Sequence, residues 1–206
     1  MDIVIATQNQ GKLQEMNFLF NEYIPYLMNN ISLLSLQNFP NMPKTEEDGN
    51  SFEENAIKKA KLAADFSGNL TIADDSGLVV DALNGKPGIF SARYAGENSN
   101  DEQNVIKLLE NLKDIPKQSR TAHFVCVIAI ALPNKIVGTF KGVCNGIIGM
   151  EPKGNAGFGY DPVFIRNDLG KTFAELPHDV KNRISHRAHA FEKAVPVIEK
   201  LINDLK

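Results

Sequence analysis

Ala73-Asp74-Asp75-Ser76-Gly77 is the stretch around which the chain is organised. The apolar run 70–73 leads into it and the run 78–80 leads out, so we predict two strands joined by a polar chain reversal, which glycine permits. Two adjacent carboxylates offer hard oxygen ligands, and these suit Mg²⁺ in combination with substrate phosphates. The alternative interpretation is an ordinary polar turn closed by an Asx-type hydrogen bond.

Bulk composition restricts the classes of partner. The chain has 206 residues, 43% hydrophobic content and a net charge of −3, and this hydrophobic content is typical of a globular protein. The length fits a single domain over residues 1–206, either as one large unit or as two lobes that share one core. This charge provides no basic field for a nucleic acid, and no apolar run approaches the ~20 residues that span a bilayer. The first five residues lack the basic region of a signal peptide. Cys126 and Cys144 lie in apolar runs without metal-ligand spacing, so we expect reduced, buried thiols and a cytoplasmic protein.

The rest of the chain predicts an α/β fold, a long, bent, mixed sheet with flanking helices. Strands are expected over 3–6, 31–36, 79–82, 121–132, 136–145 and 163–165. Pro133-Asn134 joins two of them too closely for anything except an antiparallel hairpin. Capping boxes that start at Ser51 and Ser99 each open a helix, and Pro196 should kink or split the last helix.

Residues 7–12 lie between a strand and an amphipathic helix, the layout that directs helix N–H groups at an anion. We interpret them as a phosphate cradle in which Thr7 and Asn9 donate hydrogen bonds and Lys12 supplies charge. A P-loop is excluded because Ala6 and Leu13 replace its first glycine and its metal-binding hydroxyl residue. The alternative is a polar helix cap with a solvated lysine.

Two further stretches indicate recognition of a base. Residues 154–162 hold three glycines around Phe158 and Tyr160, a loop that can stack an aromatic ring on a base, although Phe158 could equally pack in the core. Residues 181–187 contain five hydrogen-bond donors or cations just before the last helix, and we interpret them as contacts to the base. The alternative interpretation is a solvated, basic helix start. His186 and His189 have no third ligand nearby, so a zinc site is excluded.

These features together match the parts of a nucleoside triphosphate: the phosphate cradle, the carboxylates, the aromatic loop and the donor cluster. Hydrolysis by water is the simplest chemistry that this set of residues can support. Five motifs also occur in the order found in the Ham1-like inosine/xanthosine triphosphate pyrophosphatases, which the chain resembles from residue 1 to about 190. They are Ala6–Lys12, Ser51–Ala56 with Lys59-Ala60, Ala73–Leu78, Gly157–Pro162 and Ser185–Arg187.

The resemblance implies two lobes around a central active-site cleft, a homodimer, and hydrolysis of ITP, dITP or XTP to the monophosphate and pyrophosphate. It implies Mg²⁺, with Mn²⁺ as a substitute, held by Glu46 and Asp75, and Asp75 as the general base. The implied substrate contacts are Thr7, Gln8, Asn9, Gln10, Gly11, Lys12, Lys59, Ser76, Phe158, Gly159, Tyr160, Asp161, Lys181, His186 and Arg187. Two alternatives remain open: a pyrophosphatase of thymidine or uridine triphosphates, and a catalytically silent nucleotide-binding module.

Overall fold

The computed structural model describes residues 1–204 of the chain, so the predicted domain over 1–206 extends two residues beyond the described part. Seven strands form one sheet in the order β2-β1-β3-β4-β5-β6-β7. The strands are β1 Asp2–Ile5, β2 Ser32–Ser35, β3 Leu70–Val80, β4 Thr121–Leu132, β5 Lys135–Ile148, β6 Phe164–Arg166 and β7 Lys171–Thr172. The helices are α1 Gln10–Tyr23, α2 Phe52–Ser67, α3 Asp101–Asn111, α4 His178–Ile184 and α5 His186–Asp204.

The predicted mixed α/β class is confirmed. Strand β1 runs parallel to β2 and β3, whereas β6 is antiparallel to β5 and β7. Strands β4 and β5 are neighbours joined by two residues, as only antiparallel strands can be. None of the helices in the described part combines the length and hydropathy needed to cross a bilayer.

The chain divides into two compact units. The first unit comprises Met1–Asp75, Cys126–Gly142 and the residues from Arg187 onward; the second comprises Ser76–Val125 and Val143–His186. In the first, α1 and α5 cover apolar side chains of β1, β3 and β4, and the rings of Phe20 and Phe191 meet at 5.0 Å. The predicted cleft between lobes stays a prediction.

The second unit has its own core of apolar side chains from α3, β4, β6 and the residues that follow β7. Arg120 is fully buried there, and its guanidinium donates to the carbonyl oxygens of Leu112, Ile115 and Gly149 at 2.6–3.0 Å. Three backbone acceptors satisfy this buried cation, so it fixes the C-terminal end of α3 to the end of β5.

The predicted chain reversal at Asp74–Gly77 is wrong. Strand β3 runs without interruption from Leu70 to Val80, and Gly77 does not adopt a positive φ. Polar residues with a glycine are typical of a turn, but here both carboxylates are buried and neutralised by cations, so the backbone remains extended.

Three helix predictions also need correction. Helix α3 is capped by Asn100 instead of Ser99, whose hydroxyl donates to the Gly96 carbonyl oxygen at 2.7 Å. Pro196 does not split the last helix, because α5 continues through it, and the alternative of a kink at Pro196 stays a prediction. The sequence also missed α4, which ends at Ile184, one residue before the Ser185 that separates it from α5. Ser51 as the N-cap of α2 is confirmed, with its Oγ accepting from the Glu54 N–H at 3.1 Å.

Candidate active site

Two adjacent aspartates of β3 lie at the centre of the first unit's polar cluster. Asp74 is 2% exposed and Asp75 is 6% exposed, so neither is a surface carboxylate. Consecutive residues of a strand point to opposite faces, and the two side chains accordingly have different nearest cations. We describe the two sets separately as the Asp74 cluster and the Asp75 cluster.

The Asp74 cluster comprises Asp74, Lys12, Arg187 and Glu15. Oδ2 of Asp74 lies 3.1 Å from Lys12 Nζ and 3.0 Å from Arg187 Nη2. A second arm of the Arg187 guanidinium donates to the Glu15 carboxylate. Burial raises the pKa of Asp74, but the attraction of Lys12 and Arg187 outweighs it and holds that pKa well below its usual range. Two buried carboxylates thus balance two cations.

The Asp75 cluster comprises Asp75, Lys59, Glu47 and Asn55. The ammonium of Lys59, from α2, lies 2.7 Å from Asp75 Oδ1 and 3.1 Å from Glu47 Oε1. Burial lowers the pKa of Lys59, but the attraction of Asp75 and Glu47 leaves it raised. Burial also raises the pKa of Asp75, and the opposing attraction of Lys59 does not cancel this effect.

Asn55 connects the acidic turn Glu46-Glu47-Asp48-Gly49 to this cluster. Its Oδ1 accepts a hydrogen bond from the Gly49 N–H at 2.8 Å, and its Nδ2 lies 3.5 Å from Asp75 Oδ2. A Cβ on Gly49 would lie 2.6 Å from the same Asn55 oxygen, so the close approach requires glycine. Within the turn, Glu47 is half-buried on Lys59, whereas the predicted ligand Glu46 is exposed.

The predicted phosphate cradle is an ordered helix start. Asn9 is the N-cap of α1, and its Oδ1 accepts from the Lys12 N–H at 3.0 Å. Thr7 Oγ1 accepts from the Asn9 N–H at 3.2 Å. The helix-cap alternative therefore holds for Asn9, but Lys12 is paired with Asp74 and is not solvated. A cavity of about 350 Å³ adjoins the cradle and is also lined by residues 35–37, 39, 40 and 42, for which the sequence predicted no chemistry.

The glycine loop belongs to the second unit, and its polar side chains already have protein partners. Lys181 is 3% exposed and donates to Asp161, whose Oδ2 also accepts from the Phe158 N–H at 2.9 Å. The Lys181 ammonium lies 4.7 Å from the centre of the Phe158 ring, close enough for a cation–π interaction. A Cβ on Gly157 would overlap with the Asp161 carboxylate at 2.0 Å. These contacts fix the loop around Phe158, which is half-buried.

His186 and Arg187 are neighbours in the chain but have different surroundings. The His186 ring is buried and stacks on Phe124 with ring centres 4.6 Å apart. The Arg187 guanidinium lies with Asp74 and Glu15 in the first unit. Arg187, which was predicted to contact the base, already binds two carboxylates in this structure, and its contact with the base stays a prediction.

A sequence model of the Ham1 family matches residues 3–197. The chain belongs to the Ham1 family. The dITP/XTP pyrophosphatase of Geobacter sulfurreducens is 50% identical over 188 residues, which cover 91% of this chain and 92% of that relative. The dITP/XTP pyrophosphatase of Bacillus subtilis is 45% identical over 198 residues, or 96% and 97% of the two chains.

Solved Ham1 structures have the same fold. The Staphylococcus aureus Ham1 protein has a TM-score of 0.83 and 42% identity, with coverage of 97% of this chain and 99% of that one. The Coxiella burnetii HAM1 protein has a TM-score of 0.83 and 41% identity, with the same coverage. The resemblance that the motifs indicated is thereby confirmed.

The first unit of this Ham1-family chain contains the residues predicted for phosphate and metal, and the second contains most of those predicted for the base. The first unit holds Thr7, Gln8, Asn9, Gln10, Gly11, Lys12, Glu46, Lys59, Asp75 and Arg187. The second holds Ser76, Phe158, Gly159, Tyr160, Asp161, Lys181 and His186. Sequence reasoning missed Glu15 and Asn55, and it placed the carboxylate at Glu46 while allowing that the neighbouring acids Glu47 and Asp48 could exchange roles with it. Only Glu15 carried a signal, because it is a charge on the buried face of α1 beside Met16 and Leu19.

The Asp75 cluster also suits a divalent cation. Asp75 and Glu47 approach one ammonium from two directions, and both offer only oxygen atoms. Mg²⁺ usually binds through one or two carboxylates together with substrate phosphates and water. Within residues 1–204 no group of three or more His, Cys, Asp or Glu side chains forms a metal site. The two carboxylates therefore fit an ion that takes its remaining ligands from substrate and solvent.

Proposed function

We propose that this Ham1-family chain hydrolyses the non-canonical purine nucleoside triphosphates ITP, dITP and XTP to the monophosphate and pyrophosphate, which removes them from the nucleotide pool. Relatives that bear the name dITP/XTP pyrophosphatase support this substrate class. The observation that carries the proposal is the convergence of Asp75, Glu47 and Lys59, two carboxylates around one cation. Such a set provides both metal ligands and a phosphate-binding charge.

In the proposed reaction, water attacks the α-phosphorus, the bond to the bridging oxygen breaks, and pyrophosphate leaves. Asp75 accepts the water proton at Oδ2, while its Oδ1 is held by Lys59 at 2.7 Å. Lys59 and Lys12 bind the phosphate oxygens and stabilise the charge that develops on the leaving group. When Mg²⁺ or Mn²⁺ is bound by Asp75 and Glu47, it supplies further charge neutralisation.

We assign the base to the glycine loop of the second unit. Phe158 supplies the stacking surface, which accommodates any purine ring. Tyr160, Asp161 and Lys181 hold partners within the protein, so their contribution is to support the loop. Ser76, His186 and Arg187 are retained as substrate contacts from the family resemblance.

The proposal is tested by incubating the purified protein with ITP, XTP, dITP or ATP and measuring pyrophosphate and orthophosphate separately. We expect pyrophosphate from the first three, dependence on added Mg²⁺, and little turnover of ATP. The Asp75→Asn variant is the matched control. Orthophosphate as the primary product, or full activity in excess chelator, would contradict the proposal.

We also propose that the protein is a homodimer in the cytoplasm. The family resemblance supports the dimer, and the buried free thiols of Cys126 and Cys144 are consistent with a reducing compartment. Sedimentation equilibrium should give twice the chain mass of 22.7 kDa. A monomer at micromolar concentration would contradict the first part.

A further inference from the structure

Asp101 lies outside every set of residues described so far, yet it binds the glycine loop. Its Oδ2 accepts a hydrogen bond from the Gly159 N–H at 2.7 Å. Asp101 is the first residue of α3, but Asn100 and Gln103 already cap that helix. The Asp101 carboxylate is therefore not needed as the helix cap, and its contact with the loop is a separate feature of the second unit.

Gly159 needs such a contact because of its backbone. Its φ is +62°, and a Cβ placed there would meet nothing within 4 Å, so glycine is required for conformation and not for space. A glycine in open space has many accessible conformations, and ordering it costs more entropy than ordering other residues. One charge-assisted hydrogen bond to its N–H selects the observed conformation.

The residues on either side are fixed by different partners. The Phe158 N–H donates to Asp161 at 2.9 Å, and the Tyr160 hydroxyl donates to the buried Ser91 carbonyl oxygen at 2.8 Å. Both partners lie in the interior of the second unit, whereas Asp101 is exposed. Asp101 can therefore be changed without opening the core.

We propose that Asp101 is a positioning residue, which holds the Gly159 peptide so that Phe158 is presented to the purine base. This inference rests on the proposed function only for the identity of the bound ring. The loop is preorganised by the contact, and preorganisation improves affinity by reducing the ordering cost at binding. The effect should appear in KM and not in the chemical step.

Steady-state kinetics with ITP compare Asp101→Ala, Asp101→Asn and Glu102→Ala. Glu102 is the matched control, since it is also an exposed acid in the first turn of α3. We expect Asp101→Ala to raise KM by about tenfold with kcat within about twofold of wild type. Asp101→Asn retains an acceptor oxygen and should recover most of the loss. An equal effect of Glu102→Ala, or a fall in kcat at unchanged KM, would overturn the proposal.

A second measurement does not depend on activity. The chain contains no tryptophan, so Phe158→Trp places a single tryptophan in the loop, which can be excited selectively over the tyrosines. We expect Asp101→Ala to lower the fluorescence anisotropy of this residue and to raise its quenching by acrylamide, and Asp101→Asn to change neither. The same anisotropy and the same quenching in Phe158→Trp alone and in combination with Asp101→Ala or Asp101→Asn would refute the positioning role. If the wild type fails to hydrolyse ITP, the proposed function fails, while this fluorescence comparison still decides the role of Asp101.

Discussion

Asp74→Asn should destabilise the protein much more than the same substitution at the next residue. The Asp74 cluster is nearly solvent-free, with side-chain exposures of 1% for Asp74 and Arg187, 8% for Glu15 and 15% for Lys12. Its two carboxylates and two cations sum to zero charge, so the isosteric amide leaves one buried positive charge without compensation. Breaking a buried ion pair from one side costs about 3–5 kcal/mol. For a chain of this size, that lowers Tm by roughly 6–20 °C.

Asp75→Asn should reduce activity strongly and stability only slightly. The pair that it disrupts is also buried, with side-chain exposures of 9% and 12%, but Lys59 keeps Glu47 and an asparagine oxygen can still accept from it. We expect a loss of about 1–2 kcal/mol in the free energy of unfolding. The reaction, in contrast, should slow by roughly 10²–10⁴-fold in kcat, because a general base or key electrostatic group is lost.

Urea unfolding followed by circular dichroism measures the loss of stability caused by Asp74→Asn. Glu15→Gln serves as a second probe of the Asp74 cluster and should also be strongly destabilising. The double variant Asp74→Asn with Lys12→Met restores zero charge and should recover a substantial part of the loss. Equal stability of Asp74→Asn and Asp75→Asn, or no recovery in the double variant, would refute the charge-balance reasoning.

Four other substitutions test the proposed metal and substrate contacts. Glu47→Gln should raise the Mg²⁺ concentration needed for half-maximal activity by about 10–100-fold, while Glu46→Gln should have little effect, because Glu47 is the residue that contacts Lys59. Magnesium titrations that reverse this order would favour Glu46 as the ligand. Lys12→Ala should weaken the binding of ITP more than that of inosine in calorimetry, because its proposed partner is the phosphate chain, and an equal loss would contradict this placement. Phe158→Ala should depress kcat/KM for ITP and ATP together, since stacking does not distinguish purines, and a changed ratio would show that the ring reads the base.

Elements with strong local signals were predicted closely. Strand β4 has the predicted bounds, 121–132, because twelve residues of strand-forming sequence end at Pro133-Asn134. Helix α2 begins at its predicted cap, Ser51, and ends at Gly68, which has a φ of 72°. The turn predicted inside β3 was wrong because two acidic residues and a glycine have a local preference for turns. The tertiary structure supplies the cations that allow the two aspartates to remain in a buried strand.

The candidate site was predicted only where its residues belong to local sequence motifs, and not where they are brought together by tertiary contacts. Lys59 and Asp75 belong to recognisable motifs, and the structure brings them together at 2.7 Å. Glu46 and Glu47 are neighbouring acids in a segment without regular structure, so no periodicity distinguishes which one faces the helix. The ion pair between Glu15 and Arg187 joins residues 172 positions apart, and a single sequence does not indicate such a pairing.

The two aspartates of β3 show how one local pattern produces two chemical groups. The strand directs their side chains to opposite faces, so Asp74 forms ion pairs with Lys12 and Arg187, while Asp75 forms one with Lys59. The attraction of Lys12, Arg187 and Lys59 outweighs the burial of Asp74 and lowers its pKa, whereas the attraction of Lys59 and Lys12 does not outweigh the burial of Asp75, whose pKa is raised. A carboxylate whose pKa is held low suits a fixed anchor for Lys12 and Arg187. A carboxylate with a raised pKa is better suited to accept a proton, because general bases work best when their pKa is closer to the working pH. We therefore propose Asp75, and not Asp74, as the residue that accepts the proton of the attacking water.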